Sequence, residues 1–183
     1  MLSDLQTLKL TRYFQVYDVN EDGLVGVADF ERVVANMRVL HGAIDRSEQA
    51  HRLRAAYMGH WEALRASADV DRDGGVDLDE WLAYWELVLA DDRRYEAEVE
   101  AIVDRLFRAF DTDGDDRIGS DEFCNFFAAF GLESSLGRSV FVELDTDQDG
   151  ALSRSELLDI GQEFYRGNDP EAAGNLLFGP IGL

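Results

Sequence analysis

A chain of 183 residues with 46% hydrophobic and 11% aromatic content, including 11 Phe and 3 Trp, can bury a core as one domain or two small lobes. That aromatic load excludes the disorder that 38 acidic against 17 basic residues would otherwise suggest. A formal net charge of −21 repels nucleic acid and anionic lipid alike, so cations are the natural partner, and neither nucleic acid nor a membrane is expected.

Met1-Leu2-Ser3-Asp4 lacks the cationic start and apolar run of a signal peptide, and no stretch approaches the roughly 20 apolar residues of a membrane span. A cytoplasmic location is expected. Cys124 is the only cysteine, which excludes an internal disulfide. It lies in the run Phe123-Cys124-Asn125-Phe126-Phe127, where a small buried side chain is expected rather than a nucleophile.

In chain order, a first helix is predicted from Leu10, Tyr13, Phe14 and Tyr17, which share one face. It enters an acidic segment, Asp18 to Asp29, and Phe30, Val33, Val34 and Met37 mark the helix that leaves it. His41-Gly42-Ala43-Ile44 reads as a break, and Asp45-Arg46-Ser47-Glu48 as a capping box opening a helix to Ala68. Trp61, Leu64 and Ala68 lead into a second acidic segment, Asp69 to Glu80, with only Arg65 breaking the stripe; Trp81, Tyr84, Trp85 and Val88 lead out. After the short link Ala90 to Arg93 comes a helix bearing Val103, Leu106, Phe107 and Phe110, then Asp111 to Glu122, then Phe123, Phe126, Phe127 and Phe130. Val140, Phe141 and Leu144 precede the last segment, Asp145 to Glu156, and Leu157, Ile160 and Phe164 follow it. The chain closes on the apolar stretch Leu176-Leu177-Phe178-Gly179-Pro180-Ile181-Gly182-Leu183.

The four segments are one repeat of twelve residues, with an oxygen-bearing side chain at positions 1, 3, 5 and 12. Calcium, a hard cation, takes 6 to 8 oxygen ligands at about 2.3 to 2.6 Å, so a short loop must converge its oxygens on one point. Side chains at positions 1, 3 and 5, a backbone carbonyl at 7 and a bidentate carboxylate at 12 accomplish this, with a sharp turn at 6; this is the EF-hand loop. The candidate metal ligands are Asp18, Asn20, Asp22, the carbonyl of Leu24 and Asp29; then Asp69, Asp71, Asp73, the carbonyl of Gly75 and Glu80. In the third loop they are Asp111, Asp113, Asp115, the carbonyl of Arg117 and Glu122; in the fourth, Asp145, Asp147, Asp149, the carbonyl of Ala151 and Glu156. Up to four Ca2+ ions are expected. Position 8 is apolar throughout, as Val25, Val76, Ile118 and Leu152, so loops are expected to pair through short antiparallel bridges.

Two loops depart from the pattern. Asp29 replaces glutamate at position 12, and its shorter reach favours six-coordinate binding, so Mg2+ competition is expected in the loop 18–29. Asp116 stands where Gly23, Gly74 and Gly150 supply positive φ, at a strain of about 1 kcal/mol. The first and third sites are therefore expected to be the weaker pair and the fourth, most regular loop the best.

The resulting architecture is all-α: a compact four-EF-hand fold of two paired lobes, residues 1–90 and 91–166, with the apolar tail 167–183 packed on the body. Four hands with unequal spacing, Trp81-Leu82-Ala83-Tyr84-Trp85 after the second loop and a Phe-Gly-Pro tail resemble the sarcoplasmic calcium-binding protein, calerythrin and calexcitin family over essentially the whole chain. A single Lys9 against 16 Arg leans toward the calerythrin-like prokaryotic branch. The resemblance implies hand pairs whose apolar faces bury one another and a calcium-buffering role, often with one silent loop, although here every loop keeps its charged ligands. The expected function is that of an intracellular calcium buffer or transporter, monomeric; the alternative is a sensor that exposes an apolar surface to a protein partner. Three methionines are few for a sensor groove. No enzymatic activity is expected: His41, His51 and His60 do not converge, and phosphate-cradling and nucleophile-elbow motifs are absent.

Overall fold

The computed structural model describes residues 1–40 and 48–181; the break at 41–44 and the start of the capping box at 45–47 lie outside them. Among the described residues the helices are α1 (Asp4–Tyr17), α2 (Val27–Leu40), α3 (Glu48–Ala68), α4 (Leu78–Leu89), α5 (Asp92–Phe110), α6 (Ser120–Ala129), α7 (Ser134–Leu144) and α8 (Arg154–Arg166). Two-residue strands β1 (Ile118–Gly119) and β2 (Ala151–Leu152) and a short 3-10 turn at Ala173–Leu176 complete the described elements.

Four of the helices, α1, α4, α5 and α8, start at a side-chain cap. Ser3 caps α1 by accepting from the Gln6 amide at 3.2 Å while Gln6 accepts from the Ser3 amide at 2.9 Å. The same reciprocal arrangement opens α4 at Asp77 and Glu80 and α8 at Ser153 and Glu156. In these two loops position 9 is thus the helix N-cap and position 12 its third residue, so the metal loop and the outgoing helix are set by the same pair of side chains. Asp91 accepts from the amides of Arg93 and Arg94, which lets α5 begin with only Ala90 and Asp91 between it and α4.

The four helical stripes fold onto one core. All the apolar positions read on either side of the loops are buried, and Arg65, which breaks the stripe of α3, turns outward to pair with Glu62 at 2.8 Å. Within the halves α1 packs against α4, α2 against α3 and α5 against α8, and packing crosses between the halves where α1 meets α8, α2 meets α6 and α4 meets α5. Tyr13 sits at the crossing, its ring 5.0 Å from Trp81, 5.7 Å from Trp85, 5.9 Å from Tyr165 and 6.2 Å from Phe164. Each such large side chain contributes about 1.5–3 kcal/mol by burial, and edge-to-face contacts add to this.

The loops pair as their apolar eighth residues require. Val25 and Val76 exchange both backbone hydrogen bonds, at 2.9 and 3.0 Å. Ile118 opposes Leu152 and Gly119 opposes Ala151 in the β1–β2 ladder. All four apolar residues are fully buried beneath the bridges.

Candidate metal centres

The loops wind inward because their own side chains capture their own amides. The position 3 carboxylate or amide oxygen accepts from the position 5 amide in every loop: Asn20 from Asp22 at 2.8 Å, Asp71 from Asp73 at 3.0 Å, Asp113 from Asp115 at 3.2 Å and Asp147 from Asp149 at 3.1 Å. Position 5 in turn accepts from the amides of Leu24, Gly75, Arg117 and Ala151 at 2.9–3.1 Å. The first carboxylate reaches across the turn, Asp18 to the Gly23 amide, Asp111 to Asp116 and Asp145 to Gly150.

This winding needs the left-handed region twice per loop. At position 6, φ is +88° for Gly23, +97° for Gly74, +61° for Asp116 and +91° for Gly150. Asp116 therefore adopts the turn that glycine makes elsewhere, with the same amide-to-carboxylate bond. Position 4 is also left-handed, in Glu21, Arg72, Gly114 and Gln148, and only the third loop places its glycine there. The repeat pattern of ligands contained no signal for this second turn.

Position 12 closes each loop from the outgoing helix. Glu80 takes the amides of Val70 at 2.7 Å and Asp77 at 3.2 Å on separate oxygens. Glu122 takes Thr112 at 2.7 Å and Gly119 at 3.0 Å. Burial raises the Glu122 carboxyl, but these hydrogen bonds outweigh it and hold the group below the usual carboxylate range. Glu156 accepts the Ser153 amide at 2.8 Å. The shorter Asp29 makes the equivalent pair, with the Asn20 amide at 3.1 Å and the Gly26 amide at 2.9 Å, and is almost fully buried. Desolvation raises its pKa despite both hydrogen bonds, an uncompensated carboxylate that a cation would stabilise.

Three sets of carboxylates converge with oxygens within 4.8 Å of one another: Asp69, Asp71 and Asp73; Asp111, Asp113 and Glu122; Asp145, Asp147 and Glu156. Glu80, Asp115 and Asp149 stand outside these sets, and loop one, with Asn20 at position 3, contributes none among the described residues. Within them Asp69 Oδ1, Asp145 Oδ1 and Glu156 Oε1 are buried without a hydrogen-bond donor. An ionised carboxylate oxygen only accepts, so a buried one that no protein donor reaches fits a place beside a bound cation. All-oxygen ligands with several carboxylates suit calcium or magnesium and not a soft transition metal.

Two arginines cross between the paired third and fourth loops. Arg117 donates to the Asp149 carboxylate and, at 3.2 Å, to the Ala151 carbonyl. Arg154 pairs with Asp104 at 2.5 Å and Asp116 at 3.2 Å while lying 4.3 Å over the Phe107 ring. The Arg154 pair gives Asp116 a partner that glycine could not use. Neither contact is marked by loop spacing, since both depend on how two loops face each other.

The description "EF-hand domain pair" matches residues 60–128, and "EF hand" matches 11–34 and 138–160. The chain is 30% identical over 179 residues to the sarcoplasmic calcium-binding protein of Perinereis vancaurica tetradentata, spanning 98% of this chain and 99% of that one. It is 24% identical over 177 residues to calerythrin of Saccharopolyspora erythraea, spanning 95% and 100%. The structure of a sarcoplasmic calcium-binding protein from amphioxus shares the fold over the whole of both chains, with a TM-score of 0.76 at 23% identity.

Proposed function

Since the chain belongs to the family of sarcoplasmic calcium-binding proteins and binds calcium, we propose that it fills all four loops and acts mainly as a buffer with a closed apolar core. The ligands are the side chains at positions 1, 3, 5 and 12 of each loop, with the carbonyls of Leu24, Gly75, Arg117 and Ala151. The observation that carries the buffering role is the position of Phe178. Its ring stacks on Tyr13 of the first hand at 4.1 Å, and lies 6.2 Å from Phe126 of the third and 5.0 Å from Phe164 of the fourth. Arg12 secures the turn by donating to the Phe178 carbonyl at 3.0 Å. A sensor opens a groove between its hands when calcium arrives; here the chain's own tail occupies the space such a groove would use. Met37, at the core, is fully buried rather than displayed.

The halves 1–90 and 91–166 then act as two calcium-binding pairs fastened by one core and the tail 167–183. Loop one is the magnesium-tolerant site, supported by the short Asp29 side chain. A binding rather than catalytic role is supported by the convergence of the acidic groups on the loops. No helix among the described residues is long and apolar enough to cross a membrane; a monomer free in the cytoplasm is the simplest setting for a buffer of this charge.

The test is binding of a hydrophobic dye as calcium is added. A buffer loses dye fluorescence or leaves it flat as the core tightens, and a rise that saturates with calcium overturns the buffering role in favour of a sensor.

A further inference from the structure

In the C-terminal pair of loops a side chain from one loop occupies ligand atoms of the other. Arg117 Nη2 contacts the Asp149 carboxylate and the Ala151 carbonyl, the fifth and seventh positions of loop four. The carbonyl of the same residue is the seventh position of loop three. Its Nε is buried with no hydrogen-bond acceptor, so the guanidinium is held by loop four and not by its surroundings.

We propose that Arg117 is an internal counter-cation of the fourth loop, which calcium must displace, and that it thereby sets the affinity of that site. The proposal rests on the reading of loop four as a calcium site. A carboxylate committed to a guanidinium cannot also offer the same lone pairs to an ion, and +1 close to the site opposes the arrival of +2. The N-terminal pair lacks this device: the place of Arg117 is taken by Leu24, whose side chain packs over Gly75 so closely that a Cβ there would lie 3.2 Å away. Nor does the reciprocal Arg154 act in this way, since its partners, Asp104 and Asp116, are not loop ligands. The regular residue pattern of loop four therefore overstates its affinity, and the second loop becomes the tightest site.

Arg117 and Asp149 side chains are each about one-third exposed, and exposed pairs have modest strength, so release from the pair tightens the site by about two- to fivefold. Arg117→Leu, which copies the residue at position 24, and Arg117→Lys are titrated with calcium while backbone amides are followed by NMR. Gly150 reports loop four through its bond to Asp145, and Asp116 reports loop three through its bond to Asp111. In the full-length wild type the Arg117 Nε resonance is followed as well, which needs no substitution. The proposal expects the Gly150 midpoint to fall about threefold in Arg117→Leu, less in Arg117→Lys, and the wild-type Nε signal to move in step with Gly150. A Gly150 midpoint that is unchanged or higher in Arg117→Leu overturns the proposal alone. A wild-type Gly150 amide that ignores calcium overturns the calcium assignment of loop four itself, and the proposal with it.

Discussion

Lys9 is the only lysine in the chain and is completely buried. From the middle of α1 its Nζ donates to the Glu163 carbonyl at 2.9 Å, the Gly167 carbonyl at 2.8 Å and Asn175 Oδ1 at 3.2 Å. Two of these acceptors are carbonyls at the C-terminal end of α8, where a cation also meets the negative end of the helix dipole. Lys9→Met keeps the volume and removes the donors. Leaving a buried acceptor unpaired costs about 1–3 kcal/mol, but Glu163 and Gly167 lie near the surface and regain water, and the desolvation of an ammonium is relieved. The net expectation is a loss of about 2–3 kcal/mol. Urea unfolding of the calcium-loaded protein, followed by tryptophan fluorescence, measures it, since Trp85 stacks at 4.6 Å on Tyr165 of α8. Burial lowers the Lys9 pKa to about 8, with Glu163 partly offsetting it. A lowered folded pKa means that the unfolded chain holds the extra proton between pH 8 and its ordinary value near 10.5. The stability of wild type relative to Lys9→Met must therefore rise with pH across that window. A methionine variant as stable as wild type, with no such pH trend, would refute the view that this lysine ties the first helix to the last.

Phe178→Ala removes the ring that joins three hands and should cost about 3–5 kcal/mol in thermal or urea unfolding while raising dye binding; no dye increase contradicts the plugged core. Asp116→Gly relieves left-handed strain of about 1 kcal/mol but discards the pair with Arg154, so stability should shift by less than about 1 kcal/mol, whereas Gly74→Ala, at φ +97°, should lose about 1–2 kcal/mol. Comparable losses in both variants would contradict the compensation. His60 packs edge-on against Phe30 at 5.5 Å, and burial, reinforced by Arg105, lowers its pKa to about 3. Its contribution is complete above pH 6.5 and is lost as the pH falls from there toward 3, so wild type should lose stability faster than His60→Gln between pH 7 and 5 in excess calcium. Parallel pH profiles would show that the imidazole is free to protonate in the fold.

The hands were legible because both of their signals are local. Ligands recur within twelve residues, and the stripes of Phe, Trp and Leu recur at helical spacing, so each loop and its flanking helices can be read without knowing what they touch. Lys9 illustrates what could not be read. Its partners lie 154 to 166 residues away, and a lysine on a helix ordinarily faces water. Arg117 and Arg154 were hidden for the same reason, because their roles arise only when two loops pair. Asp116 was readable as a departure from glycine, but the arginine that explains it was not. Asp29 was readable as a short candidate ligand, yet its hydrogen bonds to Asn20 and Gly26 reproduce the closing contacts that glutamate makes in the second and third loops.

Calorimetric titration with calcium, with and without millimolar magnesium, tests the central claim most directly. If all four loops bind as proposed, about four ions are taken up, with magnesium weakening calcium binding first at the loop that ends in Asp29. Three ions or fewer, or uptake that magnesium leaves untouched at every site, would contradict a four-site buffer.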